Sequence, residues 1–472
     1  MRDILNGSFL VRGLTAAAGW IDRQWERSRL AGLLTRSHWG AAAAESSVFA
    51  RLWDRLHGGW CAVFRALRLD RLFAGSVLTR LCFWCGLAAA LAPLVPTMLL
   101  LALVLAGYVS FAVTLGMERD YRLVYSAENV FIYLFAFIYL LCTLTSVTPA
   151  GSLQGGLLTT AFVLFAIVFM NAVRTERETD RVVTALICAG ALVACYGIFQ
   201  AATGMVSETD WIDEAKFETL TLRVYSTLEN PNVLAEYLLL ITPLAASSIF
   251  TEREGWKKLL GLAATGAMVV CMVLTYSRGG WLGLIAAVAV FLVILDRRFI
   301  VLGVIGAAAL LFVLPQSILQ RFASIRDLSD SSTSYRISIW LATLLLLKDY
   351  WFCGIGTGTA AFGAVYPAYS FNAVSAPHAH NLYLQVLCEC GVVGFAVLMA
   401  VIVAFYKTCA GGIAGAGRKK RLRLVALIAG MTGFLVQSFT DYSFYNYRVM
   451  FLFWIMAALA VVIARSGKED AA

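Results

Sequence analysis

His380 and Asn381 are followed by nine residues and then by Gly391-x-x-Gly394, where a long loop runs into a hydrophobic stretch, and His378 stands two residues ahead. The chain has only four histidines. An imidazole has an ordinary pKa of about 6.5, so at neutral pH it can take a proton from a hydroxyl as that oxygen attacks. Two arginines sit at comparable junctions, Arg278 in Ser277-Arg278-Gly279-Gly280 and Arg336 in Ser334-Tyr335-Arg336. A guanidinium presents a planar fork of donors that grips phosphate oxygens in pairs. On a diphosphate, two such groups would also stabilise the negative charge that grows as it departs. Arginines at span ends are more often anchors whose heads reach for water. The glycines beside Arg278 either let another group approach the backbone or simply make a tight turn.

His378 and His380 also spell His-x-His, which on an extended segment turns both rings the same way and could hold zinc. No third ligand is close in sequence, since Glu389 lies more than two helical turns down the following span. Asp441, in Phe439-Thr440-Asp441-Tyr442, and Glu229, in Glu229-Asn230-Pro231-Asn232, reach the same side. Either can orient a base or a sugar hydroxyl, although a solvated cap is the plainer reading of each. Asp-x-Asp, the metal-holding signature of many sugar transferases, does not occur, which argues against a divalent-metal mechanism.

The elements that must position these groups are membrane helices. The 472 residues are 60% hydrophobic and only 14% charged, with a mean hydropathy of +0.77, whereas soluble domains carry roughly 25% charged residues. A helix crosses a bilayer with about 20 apolar residues. Spans are expected at 80–95, 97–116, 127–146, 154–173, 183–203, 232–250, 258–275, 280–296, 299–315, 381–406, 424–441 and 446–465. The fold class is thus an all-α polytopic membrane protein of about twelve transmembrane helices. The net charge of +9 reflects arginines and lysines clustered between spans, including Arg418-Lys419-Lys420-Arg421. That is the positive-inside pattern, with both termini cytoplasmic, rather than a nucleic-acid footprint. The segment 204–231 is acidic and falls outside. The eleven cysteines lie mostly in apolar runs and read as small packing residues.

Three regions follow: a cytoplasmic basic arm, 1–78; a transmembrane bundle, 79–465, with a large outer loop at 316–379; and a tail, 466–472. In the arm, Leu52, Trp53, Leu56, Trp60, Val63, Phe64 and Leu67 recur at helical spacing opposite Arg51, Arg55, Arg65 and Arg68. Such a helix either lies in the membrane interface, arginines on anionic headgroups, or packs on the cytoplasmic ends of the bundle. In the outer loop, Ile337, Trp340, Leu341, Leu344 and Leu345 predict a helix after Arg336.

Residues 223–232 (RVYSTLENPN), 275–281 (TYSRGGW), 336–340 (RISIW), 354–362 (GIGTGTAAF) and above all 380–394 (HNLYLQVLCECGVVG) resemble the O-antigen ligase and polymerase-related family of bacterial membrane glycosyltransferases. The likeness covers about residues 80–465 and leaves the arm outside. It implies transfer of a glycan from polyprenyl diphosphate to an acceptor at the outer face of the cytoplasmic membrane, with no cofactor and no required metal. It further implies that Arg278 and Arg336 bind the diphosphate and that His380 is the base or positions the acceptor. Arg223, His378, Asn381, Glu389 and Asp441 are accessory candidates. The acceptor, whether glycan, lipid or protein, is left open, as is ligase against polymerase. A transporter of the same lipid-linked glycan is the rival reading, kept alive by Glu389 and the Gly279-Gly280 break, and a non-catalytic assembly partner is a third.

Overall fold

A computed structural model describes residues 48–205, 223–295, 331–371 and 374–466. Every regular element among them is helical. The α-helices of eight or more residues are, in chain order, α1 (Val48–Ala66), α2 (Leu81–Leu91), α3 (Thr97–Met117), α4 (Ala127–Leu144), α5 (Pro149–Ala172), α6 (Glu176–Thr203), α7 (Pro231–Thr251), α8 (Gly255–Leu274) and α9 (Arg278–Leu295). After the undescribed stretch come α10 (Ser331–Tyr350), α11 (Gly358–Val365), α12 (Leu382–Ile413), α13 (Arg418–Gln437) and α14 (Tyr447–Arg465).

Nine of these helices are long and apolar enough to cross a membrane: α3 to α9, α12 and α14. The protein is therefore a multi-pass membrane protein. The expected first span is the 11-residue α2, which rises only about 16 Å. The expected span at 424–441 is α13, which is displaced toward a basic first turn and ends at Gln437, leaving Asp441 in a loop. The span expected at 299–315 and the acidic residues at 208–218 lie outside the described residues, as does the first part of the outer loop.

Local sequence sets the helix boundaries. Thr175 and Glu178 close a capping box on α6, Asn230 caps α7 with Pro231 in its first turn, and Asn446 caps α14, each satisfying amides that otherwise lack partners. In the middle of the bundle, α14 and α13 are buried nearly all round, as expected for helices without a polar stripe. Gly283 of α9 meets the backbone of Gly433 of α13, the kind of small-residue crossing that lets membrane helices approach closely. At the rim, Phe137 and Leu141 of α4 and Leu259 and Leu262 of α8 stay exposed, a surface suited to acyl chains.

The two ends of the bundle differ in chemistry. At one end Asp180 of α6 accepts from Lys419 Nζ and Arg423 Nη1 of α13, both at 2.6 Å, and Arg465 donates to the carbonyls of Met170 and Val173. The arm helix α1 sits at this end as well. His57 Nε2 is 2.9 Å from Leu115 O, Trp60 Nε1 donates to Ala112 O, and Phe64 covers Gly116. The arm thus packs on the bundle through one seam, while Leu52, Leu56, Trp60, Val63 and Leu67 remain substantially exposed. Of the two expectations for the arm, packing on the end of the bundle is what these contacts show.

The other end gathers the amino termini of α7, α9, α12 and α14. Gln437 Nε2 donates to Asn232 O at 2.9 Å, Asn381 Nδ2 to Phe439 O at 2.9 Å, and Leu382 N to Ser438 O at 2.9 Å. A smaller apolar cluster, including Ile339, Ala342, Leu346, Phe362, Tyr366 and Ala379, joins α10 and α11 to the start of α12. The helix expected after Arg336 is present, but its packed face is Ile339, Ala342 and Leu346. Leu341 and Leu344 point away from this cluster and are half exposed.

Candidate active site

The site is built where α12 begins. Asn381 caps α12, its Oδ1 accepting from Leu384 N at 3.0 Å, while its amide nitrogen ties the turn to Phe439. The preceding His380 adopts φ 45°, a left-handed conformation uncommon for a residue with a side chain. The segment is therefore not extended there, and the two imidazoles lie with centroids 4.2 Å apart and planes tilted by 56° instead of turning the same way as parallel ligands. Trp340 Nε1 of α10 donates to His380 O at 3.3 Å, and the Tyr335 ring stands edge-on to His380 at 5.8 Å.

Asp441 completes the arrangement. Its Oδ1 lies 3.4 Å from His380 Nδ1, and its Oδ2 lies 3.9 Å from Arg336 Nη2. This overturns the simpler reading of Asp441 as a solvated cap, because both its oxygens face basic groups and its side chain is 16% exposed. Burial alone would raise the Asp441 carboxyl, but the hydrogen bond with His380 and the charge of Arg336 outweigh it and hold the group well below the usual carboxylate range. An ionised Asp441 accepts the Nδ1 proton of His380, which leaves Nε2 as the basic nitrogen.

His378 has a different environment. It is buried, flanked by the rings of Tyr442 and Tyr445, and its Nδ1 accepts from His380 N at 3.2 Å. Burial, with help from neighbouring His380, pushes its pKa down to about 3. It is thus a neutral imidazole with its proton on Nε2, and it holds the backbone of His380 in its turn. Among the described residues no cluster of three histidines, cysteines or carboxylates is arranged to hold a metal ion.

Arg278 opens α9 at the same end. Its neighbour Gly279 packs directly on the Thr440 side chain, leaving no room for a Cβ, so the Arg278 turn lies against the turn that carries Asp441. Arg223 is buried, with Nε donating to Thr275 O at 2.9 Å and Nη2 to Asn232 Oδ1 at 3.0 Å. It bolts the segment before α7 to the end of α8. Glu229 is exposed and pairs with Arg448 at 3.4 Å.

Glu389 is wholly buried and accepts from four donors: Gln385 Nε2, Gly358 N, Tyr442 Oη and Tyr139 Oη, at 3.0–3.3 Å. A carboxylate so saturated is architectural. Its donors fasten the segment before α11 to α12, and that segment runs through a break in the helix. Gly391 has φ 61° and ψ −169°, a region essentially confined to glycine, and the Phe352 carbonyl occupies the place where a Cβ would stand. Val392 N donates to Trp351 O at 2.8 Å, and Ile355 N donates to Cys388 O at 2.7 Å. Gly391 is thereby explained as a break that admits another segment of the chain, whereas Gly394 packs against Cys390.

One residue escaped the sequence reading. Glu236 of α7 is fully buried beside Ser443 and Asp441, and no hydrogen bond from the described residues reaches its Oε2. The signal was available: Glu236 is the one charged residue in the apolar run 232–250, and a carboxylate inside a span is rarely without a task.

Residues 263–399 match the family model described as O-antigen ligase. The match covers less than a third of the chain and takes in Arg278, Arg336, His378, His380, Asn381 and Glu389; Asp441 lies beyond it. It supports a relationship to the O-antigen-ligase-related family, whose members are glycosyltransferase-like membrane enzymes of surface polysaccharide synthesis. No curated protein matches the chain.

Proposed function

We propose that the protein is a bacterial inner-membrane glycosyltransferase that moves a glycan from a polyprenyl diphosphate carrier to an acceptor hydroxyl at the outer membrane face. The observation that carries the reading is the Asp441–His380 pair with Arg336 on the carboxylate's second oxygen. The Arg278 turn packs on the neighbouring residue.

In this reading the acceptor hydroxyl hydrogen-bonds to His380 Nε2. Its oxygen attacks the anomeric carbon opposite the diphosphate, the bond from that carbon to the phosphate oxygen breaks, and the electron pair leaves with the diphosphate. The hydroxyl proton passes to Nε2, giving an imidazolium that Asp441 stabilises through Nδ1–H. Arg278 and Arg336 bind the diphosphate and counter the charge that grows on it. A single displacement inverts the anomeric configuration, and no metal takes part. Under the positive-inside rule the Lys419 and Arg423 end is cytoplasmic, which turns the site outward.

The rival transporter reading draws on the broken α12, since interrupted helices often line transport sites. Here the break is filled by residues 351–356 of the chain itself, with Glu389 saturated beside it. The test is the glycan length on the carrier in cells lacking the protein. Long chains stranded on the carrier support a ligase, and single unextended units support a polymerase acting through the same site. An unchanged carrier pool overturns both.

A further inference from the structure

The basic end of the bundle, opposite the candidate site, holds a crevice of about 730 Å³, within the range of small-ligand pockets, roughly 300–1,000 Å³. It opens between α2 and α6, which run side by side in the same direction. Cys82 stands by Glu178 and Arg181, and a methyl on Gly86 would just touch Val182 at 3.4 Å. Both walls therefore read alike from the mouth inward. Arg80 is followed by Gly86 and Ala90 on one side, and Arg181 by Val182 and Ala185 on the other.

Arg80 and Arg181 are exposed, and neither forms an ion pair with another described residue. The other charges at the mouth are largely committed. Glu178 Oε2 accepts from the backbone nitrogens of Arg174 and Thr175, at 3.0 and 2.9 Å. Arg174 lies over the Tyr121 ring at 4.1 Å and donates to Arg122 O. With Glu118, exposed on the far wall, and Glu178 against Arg80, Arg174 and Arg181, the mouth is net positive by one charge.

Two guanidinium groups with no ion-pair partner among the described residues, above an apolar cleft, match an amphiphile with an anionic head. We propose that this crevice binds one anionic phospholipid, its phosphate between Arg80 and Arg181 and an acyl chain along Gly86, Ala90, Val182 and Ala185. Guanidinium groups supply charge-assisted hydrogen bonds to the phosphate, and the walls remove the chain from contact with the bundle's polar ends. The ligand would wedge α2 against α6 beside the arm, whose His57 ring meets Tyr121 at 6.5 Å.

The test is native mass spectrometry of the full-length protein in detergent, titrated with phosphatidylglycerol and with phosphatidylcholine of identical chains. The wild type is expected to retain a single phosphatidylglycerol at least tenfold more tightly than phosphatidylcholine. Arg80→Gln with Arg181→Gln removes that preference, and Ala90→Trp displaces both lipids. Arg177→Gln, on the same helix but outside the crevice, leaves the preference intact. Equal retention of the two lipids by the wild type overturns the proposal. So does an undiminished preference in the double variant, or an equal loss in Arg177→Gln, which would assign the effect to diffuse surface charge.

Discussion

Asp441 Oδ1 lies 3.4 Å from His380 Nδ1, across 60 intervening residues and two different helix ends. The pairing fixes which ring nitrogen is basic. Asp441→Asn is therefore expected to lower the turnover of glycan transfer by roughly 10²- to 10⁴-fold, the usual worth of a well-oriented general base. Donor binding should change little, and Asp441→Glu should restore part of the rate. Steady-state kinetics with separate kcat and KM check this; a loss confined to KM would make Asp441 a substrate ligand instead.

Arg278→Ala and Arg336→Ala are each expected to cost roughly 10²- to 10³-fold in turnover, as removal of a transition-state charge stabiliser does. Lysine at either position should recover only part, because it lacks the planar fork. Carrier-diphosphate release by purified variants measures this. Full activity in both alanine variants would leave the arginines as anchors.

His378, whose pKa is pushed down to about 3, makes the turn before α12 acid-sensitive. The unfolded chain protonates this residue below about 6.5, while the folded chain keeps it neutral. Its contribution is thus present above pH 6.5 and is lost progressively as pH falls toward 3, at most about 1.4 kcal/mol per pH unit. Asp441, also depressed in the fold, acts in the same direction but only below its ordinary carboxylate range. Hydrogen exchange over residues 374–384 should accelerate between pH 7 and pH 4.5 in the wild type and less so in His378→Gln. An exchange rate insensitive to pH beyond the chemical trend would contradict this.

Gly391→Ala places a side chain where the Phe352 carbonyl lies, in a backbone region foreign to other residues. The expected cost is about 3 kcal/mol or more, seen as a lost or much less stable monodisperse peak in a thermal-shift chromatography assay. Gly363→Ala, at a position open to space, is the matched control and should be neutral.

Chelation should leave transfer unaltered. His378 Nδ1 and His380 Nδ1 are both engaged in hydrogen bonds, and no third ligand joins the two tilted rings among the described residues. Activity abolished by a chelator and restored by zinc would revive the His-x-His metal reading.

How much of this was legible beforehand follows from the kind of signal each feature carries. Most of the described spans were readable because hydrophobicity accumulates over about 20 residues, although the first proved to be an 11-residue helix and the one expected at 424–441 ends at Gln437. The convergence of Arg278, Arg336 and His380 at one end followed from counting crossings. The partner of His380 did not, because Asp441 is 61 positions away and looks like any acidic residue after a span. Glu389 looked functional by its depth, yet three of its four donors come from segments outside its own helix, which no local pattern records. The purpose of Gly391 was equally hidden, since a glycine in an apolar run does not reveal which other segment fills its space.

The most direct measurement is glycan transfer by the purified protein in lipid vesicles, with a polyprenyl-diphosphate-linked glycan as donor and His380→Ala alongside the wild type. The account predicts that the wild type releases carrier diphosphate in step with product whose anomeric configuration is inverted. It also predicts that His380→Ala, though folded and able to bind donor, is at least 10²-fold slower. Transfer at the wild-type rate by His380→Ala, or a product with retained configuration, would contradict it.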